Sequence, residues 1–179
     1  PVTTLVELES GTQLQYYFAG PAQACLLLAC SGGYGFLANV ESLVSRNKGG
    51  KAFVNLAEGE TLCAPSLVSG GSGSVVVPAA THVAVGSVGG RILTFEIGEL
   101  KTMTSAARGL MLLALEAGDT LAGAAAYTRS IRLEGTGRGG KARDETLEIR
   151  SLNNARGKRG AKGKAADLGF KPARITRVE

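Results

Sequence analysis

Tryptophan is absent from this sequence, histidine occurs once, at His82, and aromatic residues make up only 5% of the chain. A protein metal site needs several closely placed His, Cys or carboxylate ligands, and a single histidine does not supply them. The three cysteines, Cys25, Cys30 and Cys63, are an odd number, which argues against a disulfide framework and is typical of a reducing compartment. We therefore expect no metal site, no disulfide scaffold and a cytoplasmic location.

Long hydrophobic runs are missing as well. The longest apolar stretch, residues 24–30, is far shorter than the roughly 20 residues that span a membrane, and no charged and apolar leader opens the chain. We expect no membrane span and no secretion. Because the sequence begins with Pro1 rather than Met, we interpret it as a segment of a longer protein.

Glycine, in contrast, is abundant, with 26 residues in a chain of 179, about twice the average usage of ~7%. The glycines follow no G-x-y period, which excludes a collagen helix. Hydrophobic residues make up 44% of the chain and charged residues 20%, so it can bury a core. These features predict a folded domain with many tight turns.

A short pattern, L-x-x-G-x-x-L, occurs at Leu8–Leu14, Leu56–Leu62 and Leu115–Leu121. Glycine-rich turns at Ser31–Leu37 and Ser87–Leu93 precede the second and third copies. Short apolar segments between glycine turns predict β-strands, and units of four strands at this spacing are typical of propeller blades. The sequence predicts a single all-β domain of about three to four four-stranded blades in an open or broken ring. Its repeat units are roughly 1–23 (partial), 24–80, 81–127 and 128–179.

Within these units, apolar segments predict individual strands. We interpret Ser69–Ser74 as a flexible loop that accounts for the extra length of its unit, and we leave Ala122–Ala126 unassigned because its alanines resist a strand assignment. The predicted strands are 24–30, 36–40, 51–56, 83–85, 91–97 and 110–115.

The charge is divided unevenly along the chain. Residues 1–127 carry a balance of −3 and residues 128–179 a balance of +8, which together give the formal net charge of +5. A basic final third on a slightly acidic body is typical of a protein that binds a polyanion. Regular apolar positions in this third, such as Ile131, Leu133 and Ile175, favour a folded segment over a disordered tail.

Basic glycine-containing turns predict where that polyanion binds. Residues 155–164 hold five cations, and we interpret them as an exposed loop without an apolar anchor. Residues 46–51 form a shorter basic turn of the same kind. The corresponding turn of the next repeat unit keeps one cation, Arg108. Lysine and arginine beside glycine suit phosphate contacts without base reading. The glycines at 135–140 also match a dinucleotide motif, but the region that follows is basic, so we interpret them as a hairpin turn. The predicted DNA-binding residues are Arg46, Lys48, Lys51, Arg108, Arg129, Arg132, Arg138, Lys141, Arg143, Arg156, Lys158, Arg159, Lys162 and Lys164.

Two stretches carry a family resemblance. Gly33–Leu37 followed by Ser42–Leu56, and the ending Gly157–Gly163 through Arg174–Val178, resemble the C-terminal domain of the A subunit of bacterial topoisomerase IV. The resemblance implies a β-pinwheel, in which neighbouring propeller-like blades exchange strands. It also implies an accessory domain that binds and bends double-stranded DNA, and so helps to select the segment for ATP-dependent strand passage and decatenation.

The resemblance further implies where the chemistry lies. The family's DNA-cleaving tyrosine lies outside this region and no tyrosine here matches its motif, so we assign no catalytic residue and expect this segment to be non-catalytic. We expect no cofactor here, since ATP and Mg would act through other domains or subunits of the parent enzyme. The parent A subunit would join the B subunit in a heterotetramer that acts at the bacterial nucleoid.

Two alternatives remain open at this point. The related gyrase A domain carries a box, Q-R-R-G-G-(R/K)-G, of which the segment Gly157–Gly163 keeps Arg159, Gly160 and Gly163; a gyrase domain with a degenerate box is therefore possible. The repeats would also fit a propeller-like protein-interaction module, although such a module has no need for the charge of the last third.

Overall fold

The computed structural model describes residues 10–72, 75–77 and 79–178 of the chain. Within these residues the chain forms twelve strands in three antiparallel sheets and only two short α-helices, α1 (Val40–Leu43) and α2 (Ile149–Asn153). The predicted all-β class is confirmed. The strands are β1 (Cys25–Ala29), β2 (Tyr34–Asn39), β3 (Ser66–Ser72), β4 (Val75–Val77), β5 (His82–Ser87), β6 (Arg91–Glu96), β7 (Leu110–Met111), β8 (Leu121–Tyr127), β9 (Ser130–Gly137), β10 (Ala142–Glu148), β11 (Lys164–Ala165) and β12 (Phe170–Arg177).

Each sheet is built on a hairpin of two consecutive strands. The first sheet has the order β4-β3-β1-β2-β7, the second β11-β6-β5-β8 and the third β10-β9-β12. The hairpin turns of the first two sheets contain Gly33 and Gly90, whose φ angles of 86° and 88° favour glycine over any residue with a side chain. The sheets therefore contain five, four and three described strands rather than four each.

Two short strands belong to a different sheet from their neighbours in sequence. Strand β7 follows β6 in the chain but pairs with β2, and β11 follows β10 but pairs with β6. Each of them leaves its own sheet and adds to the outer edge of the preceding sheet. This exchange, together with sheets that do not close into a ring, confirms the expected open pinwheel.

Among the described residues, two of the three hydrophobic clusters lie between consecutive sheets, and the third, around Phe36 and Phe53, covers the other face of the first sheet. Side chains including Leu27, Leu37, Val83 and Phe95 form one cluster between the first and second sheets, and a second cluster around Ile131 joins the second sheet to the third. Fully burying a large aliphatic or aromatic side chain stabilises a fold by about 1.5–3 kcal/mol. The two clusters between sheets hold the sheets together as a stack.

Small residues allow the second and third sheets to approach closely. Ile175 of β12 lies against Gly86 and Gly123, where an added Cβ would come within 2.7 Å and 3.1 Å of Ile175 atoms. Ala124, Ala125 and Ala126 in β8 are almost completely buried. The alanine-rich stretch that the sequence left unassigned is therefore β8, the strand at one edge of the second sheet, and its small side chains are buried where the third sheet packs against it.

The far face of the third sheet differs from the faces between sheets. Arg132 lies 3.5 Å from a carboxylate oxygen of Glu134 and 3.1 Å from one of Asp144, and all three side chains are at least 40% exposed. This face of the third sheet is therefore polar, unlike the faces that pack between sheets.

Some predicted elements need correction. Residues 51–56 contain only an isolated bridge at Val54, and the predicted strand 110–115 is reduced to the two residues of β7. Ser69–Ser72 belong to β3 and do not form the expected loop, while residues 73 and 74 lie outside the described residues. The beginning of the first copy of the repeat, Leu8 and Glu9, also lies outside them.

Candidate nucleic-acid interface

Three segments contain the basic turns of the sequence, and the second and third of them run along the outer edges of hairpins. We call them straps: the first strap is residues 44–51, the second 102–110 and the third 155–164. The second strap is bound to β2 where the Met103 N–H donates to the Leu37 carbonyl, and the third is bound to β6 where the Gly157 N–H donates to the Thr94 carbonyl. The two straps therefore occupy equivalent places on successive sheets.

The straps end at equivalent left-handed glycines. Gly50, Gly109 and Gly163 have φ angles of 75°, 86° and 68°. An added Cβ at Gly109 would lie 2.3 Å from the Gly35 carbonyl oxygen, and one at Gly163 would lie 2.7 Å from that of Ile92. Glycine at this point lets the second and third straps dock against the preceding hairpin.

Two arginines anchor the third strap to the protein. Arg156 forms an ion pair with Glu96 at the end of β6. The backbone N–H of Arg159 donates to a carboxylate oxygen of Glu99 at 3.0 Å, and its guanidinium donates to the carbonyl oxygens of Glu99 and Met111 at 3.2 Å and 2.6 Å. The sequence predicted an exposed loop without an apolar anchor; the strap is nevertheless held in place, by polar contacts.

Three lysines of the third strap remain directed to solvent. Lys158, Lys162 and Lys164 are exposed, and none of them has a hydrogen bond or ion pair to another described residue through its side chain. Lys164 lies in β11, whose backbone pairs with β6 at Ile92. The anchored strap thus holds three uncompensated positive charges at the outer edge of the second sheet.

The first strap carries a similar set of cations. Arg46 and Lys48 are exposed and have no ion pair among the described residues, whereas the Lys51 ammonium donates to the Ser42 carbonyl at 2.6 Å and lies 5.5 Å from the centre of the Phe53 ring. Arg46 and Lys48 are therefore available to a ligand, while Lys51 partly stabilises its own strap.

Arg108, the cation of the second strap, binds other side chains of the protein. The Arg108 guanidinium pairs with Glu60 at 2.6 Å and lies over the Tyr34 ring, 4.4 Å from its centre. The Ala57 N–H, which donates to the same carboxylate at 2.8 Å, and Arg108 lower the pKa of Glu60. The charge of Arg108, a predicted DNA-binding residue, is accordingly balanced within the protein.

The remaining predicted residues lie on the third hairpin and beside it. Arg129 is exposed in the turn between β8 and β9, and Arg132 is paired with acidic side chains as described above. Arg138, Lys141 and Arg143 are exposed around the hairpin turn. The sequence interpretation missed Lys171 and Arg174 on β12, which the basic balance of the last third could have indicated.

The single histidine and the cysteines do not form a reactive site. The His82 ring contacts the Thr81 hydroxyl at 2.8 Å and packs near Tyr127, while burial raises the pKa of the Cys63 thiol to about 12. Within the described ranges, no group of three His, Cys, Asp or Glu side chains could hold a metal ion. No helix in the same part of the chain is long and apolar enough to span a membrane.

Comparison with known proteins gives a consistent result. A family model described as the DNA gyrase C-terminal domain, a β-propeller, matches residues 26–69 and 81–127. The chain is 35% identical over 161 residues to the A subunit of DNA topoisomerase 4 from Neisseria gonorrhoeae, covering 89% of this chain and 20% of that protein. It is 32% identical over 104 residues to the corresponding protein of Haemophilus influenzae, which has the same name, covering 58% of this chain and 13% of that protein.

The fold has solved counterparts. The structure of the E. coli ParC C-terminal domain superimposes with a TM-score of 0.77 at 24% identity, covering 98% of this chain and 69% of that one. At this identity the likeness concerns the fold alone. The chain spans a fifth or less of the length of the two topoisomerase proteins that it matches.

Proposed function

The chain belongs to the DNA gyrase C-terminal domain family, whose model matches more than half of its residues, and from this premise we propose that it binds double-stranded DNA as an accessory domain of a type IIA topoisomerase. Its role is to bind and bend the duplex through backbone contacts, so that the parent enzyme selects the DNA segment for strand passage and decatenation. The two relatives described above favour the A subunit of topoisomerase IV as that parent.

One observation carries the proposal. The first and third straps hold exposed cations without local acidic partners, Arg46 and Lys48 in one and Lys158, Lys162 and Lys164 in the other, and the third strap lies at the outer edge of the second sheet. Exposed cations on an anchored segment suit the phosphate backbone of a duplex, because backbone binding needs positive charge and no base-specific side chains.

The parent enzyme supplies the catalytic parts in this proposal. Strand cleavage, ATP hydrolysis and Mg binding belong to other domains or to the B subunit, which forms a heterotetramer with the parent of this domain in the bacterial nucleoid. The domain purified alone should therefore neither relax nor cut DNA, and it should not hydrolyse ATP.

The proposal is tested by measuring the affinity of the purified domain for duplexes of different sequence at several salt concentrations. We expect binding to all of them, with log K falling linearly as log salt rises. Absence of binding at low salt, or binding to one sequence alone, would contradict the proposal.

A topology measurement distinguishes topoisomerase IV from gyrase as the parent. A nicked circle is bound by the domain and then sealed by ligase, and the change in linking number is read from a gel. Small changes fit the bending expected for a topoisomerase IV domain, whereas a large change of one sign fits the chiral wrapping of a gyrase domain. The degenerate box at 157–163 favours the first outcome.

A further inference from the structure

The third hairpin projects further than the other two. All three hairpins start from equivalent pairs, Cys25 with Asn39, His82 with Glu96 and Ser130 with Glu148, and a short helical turn follows each of them. From this common start the first two hairpins have five residue pairs, while β9 and β10 have seven. At about 3.4 Å per residue, the third turn lies about 7 Å beyond the position of the others.

This projecting part, residues 135–143, is called the finger below. It is supported almost to its tip, because β12 pairs with β9 as far as Phe170 opposite Gly137, and the Gly137 N–H donates to the Lys141 carbonyl at 2.8 Å. Gly135 lies so close to β12 that an added Cβ would come within 2.0 Å of the Lys171 carbonyl oxygen. The finger is therefore a braced three-stranded structure that ends in a single tight turn.

The tip presents one arginine between glycines. Gly139 and Gly140 have φ angles of 75° and 73°, and an added Cβ at either position would meet no atom within 4 Å. The side chains of Arg138 and Lys141 are exposed and form no ion pair or hydrogen bond with another residue of the described chain. Arg138 also lines a shallow depression beside Phe170 and Lys171.

We propose that this finger places Arg138 in the minor groove of the bound duplex and gives the domain a preference for A·T-rich segments with a narrow groove. The proposal rests on the DNA-binding function proposed above and extends it from backbone contacts to one groove contact. The equivalent turns, Ser31–Gly33 and Val88–Gly90, end shorter hairpins and carry no cation.

Dimensions favour the minor groove. Three strands spaced about 4.8 Å apart, with their side chains, are too broad to enter even the major groove, which is about 12 Å wide. Only the turn can approach the DNA, and from it one extended side chain fits a minor groove that is roughly 6 Å wide. Arginine suits this position because its weakly hydrated cation is attracted by the strong negative potential of narrow A·T tracts.

The flanking glycines support the same geometry. Without side chains at 137, 139 and 140, the backbone of the tip can lie close to the two phosphate chains that border the groove. Lys141, at the other end of the turn, is then placed to contact a phosphate rather than a base.

The test compares two duplexes of equal length, one with a central A-tract and one with a central G·C tract. Wild-type domain should bind the A-tract duplex at least about fivefold more tightly, and Arg138→Ala should remove this preference while leaving affinity for the G·C duplex within about twofold. Arg138→Lys should recover only part of the preference. Lys141→Ala, a matched control in the same turn, should weaken binding to both duplexes equally.

Several outcomes would overturn the groove contact. Equal wild-type affinity for the two duplexes would exclude the groove preference, and an equal loss on both duplexes with Arg138→Ala would assign Arg138 to the phosphate backbone. If Arg138→Ala leaves the affinity for both duplexes unchanged, the finger does not contact the DNA. Failure of the wild-type domain to bind either duplex would instead contradict the proposed function itself.

Discussion

At the scale of single residues, the basic side chains divide into those that hold the fold and those that face solvent. Arg108, Arg156 and Arg159 are committed to acidic groups or carbonyl oxygens of the protein. Lys158 and Lys162 lie on the same third strap but make no such contact among the described residues. This division follows from chemistry, since the planar guanidinium can donate several hydrogen bonds in fixed directions and an ammonium cannot.

Because Arg159 contacts the protein and Lys158 faces solvent, their substitution should affect stability differently. Arg159→Ala removes the guanidinium hydrogen bonds to the Glu99 and Met111 carbonyls and should lower the free energy of unfolding by roughly 1 kcal/mol, a value reduced by the partial exposure of the side chain. Lys158→Ala, one position before it, should change stability by less than about 0.5 kcal/mol. Urea unfolding of both variants checks this, and equal effects would contradict the anchoring role.

The lowered pKa of Glu60 predicts that the free energy of unfolding depends on pH. The Ala57 N–H and the Arg108 guanidinium lower its pKa in the folded state, so it contributes stability that is present above the unfolded value of about 4.3 and is lost as the pH falls through the folded pKa. The difference in unfolding free energy between wild type and Glu60→Gln should be largest near neutral pH. It should narrow as the pH falls below about 4, whereas a constant difference from about pH 7 to about pH 3 would show that the carboxylate charge is not involved.

At the scale of secondary-structure elements, the exchanged strands β7 and β11 join each sheet to the preceding one. The second strap enters β7 at Gly109, whose left-handed backbone lies directly against Gly35 of the preceding hairpin. Gly50, at the equivalent place in the first strap, has a similar φ angle but no neighbouring atom within 4 Å of an added Cβ. A substitution at Gly50 therefore costs backbone strain alone, whereas a substitution at Gly109 costs backbone strain and a steric clash.

Substitution at these two glycines tests the exchange. Gly50→Ala should cost about 1–2 kcal/mol from the left-handed conformation alone. Gly109→Ala adds a collision with the Gly35 carbonyl and should cost roughly 3 kcal/mol or more. Chemical denaturation of the two variants gives the comparison, and equal losses would mean that β7 does not dock against β2 as described.

The elements also show what the sequence could and could not predict. The strands β1, β2, β5 and β6 were predictable because apolar runs between glycine turns are a local signal. The short length of β7 was not, since Leu112 and Leu113 are fully buried without belonging to a strand, and their apolar character alone suggested a longer one. Ala122–Ala126 gave no signal because small side chains are selected there by the approach of β12, which is a contact distant in sequence.

The candidate site was predictable only in outline. The basic composition identified the third strap, the first strap and the finger, because cations beside glycine are visible in the sequence. Which cations are neutralised by Glu60 or Glu96, and that Glu99 holds the Arg159 backbone, depends on contacts between residues about 50–60 positions apart in the chain. Such pairings appear only when neighbouring sheets are stacked.

At the scale of the whole molecule, the charge asymmetry of the sequence becomes a spatial arrangement. The final third of the chain builds the third sheet and also supplies the third strap, which lies on the second sheet. Strand exchange thus spreads the basic segment over two sheets instead of confining it to one end. A duplex that follows the outer edge of the second sheet would meet the exposed lysines of the third strap.

The salt dependence of DNA binding by a triple lysine variant tests this account most directly. Replacing Lys158, Lys162 and Lys164 with alanine removes three exposed charges but retains Arg156 and Arg159, so the strap should keep its position. The slope of log K against log salt should become shallower by up to about 2.7, at about 0.9 for each phosphate contact, on every duplex tested. Replacing the same three lysines with arginine keeps the charge and should keep the slope. An unchanged slope in the alanine variant, or a loss of binding on one DNA sequence only, would contradict backbone binding by the straps.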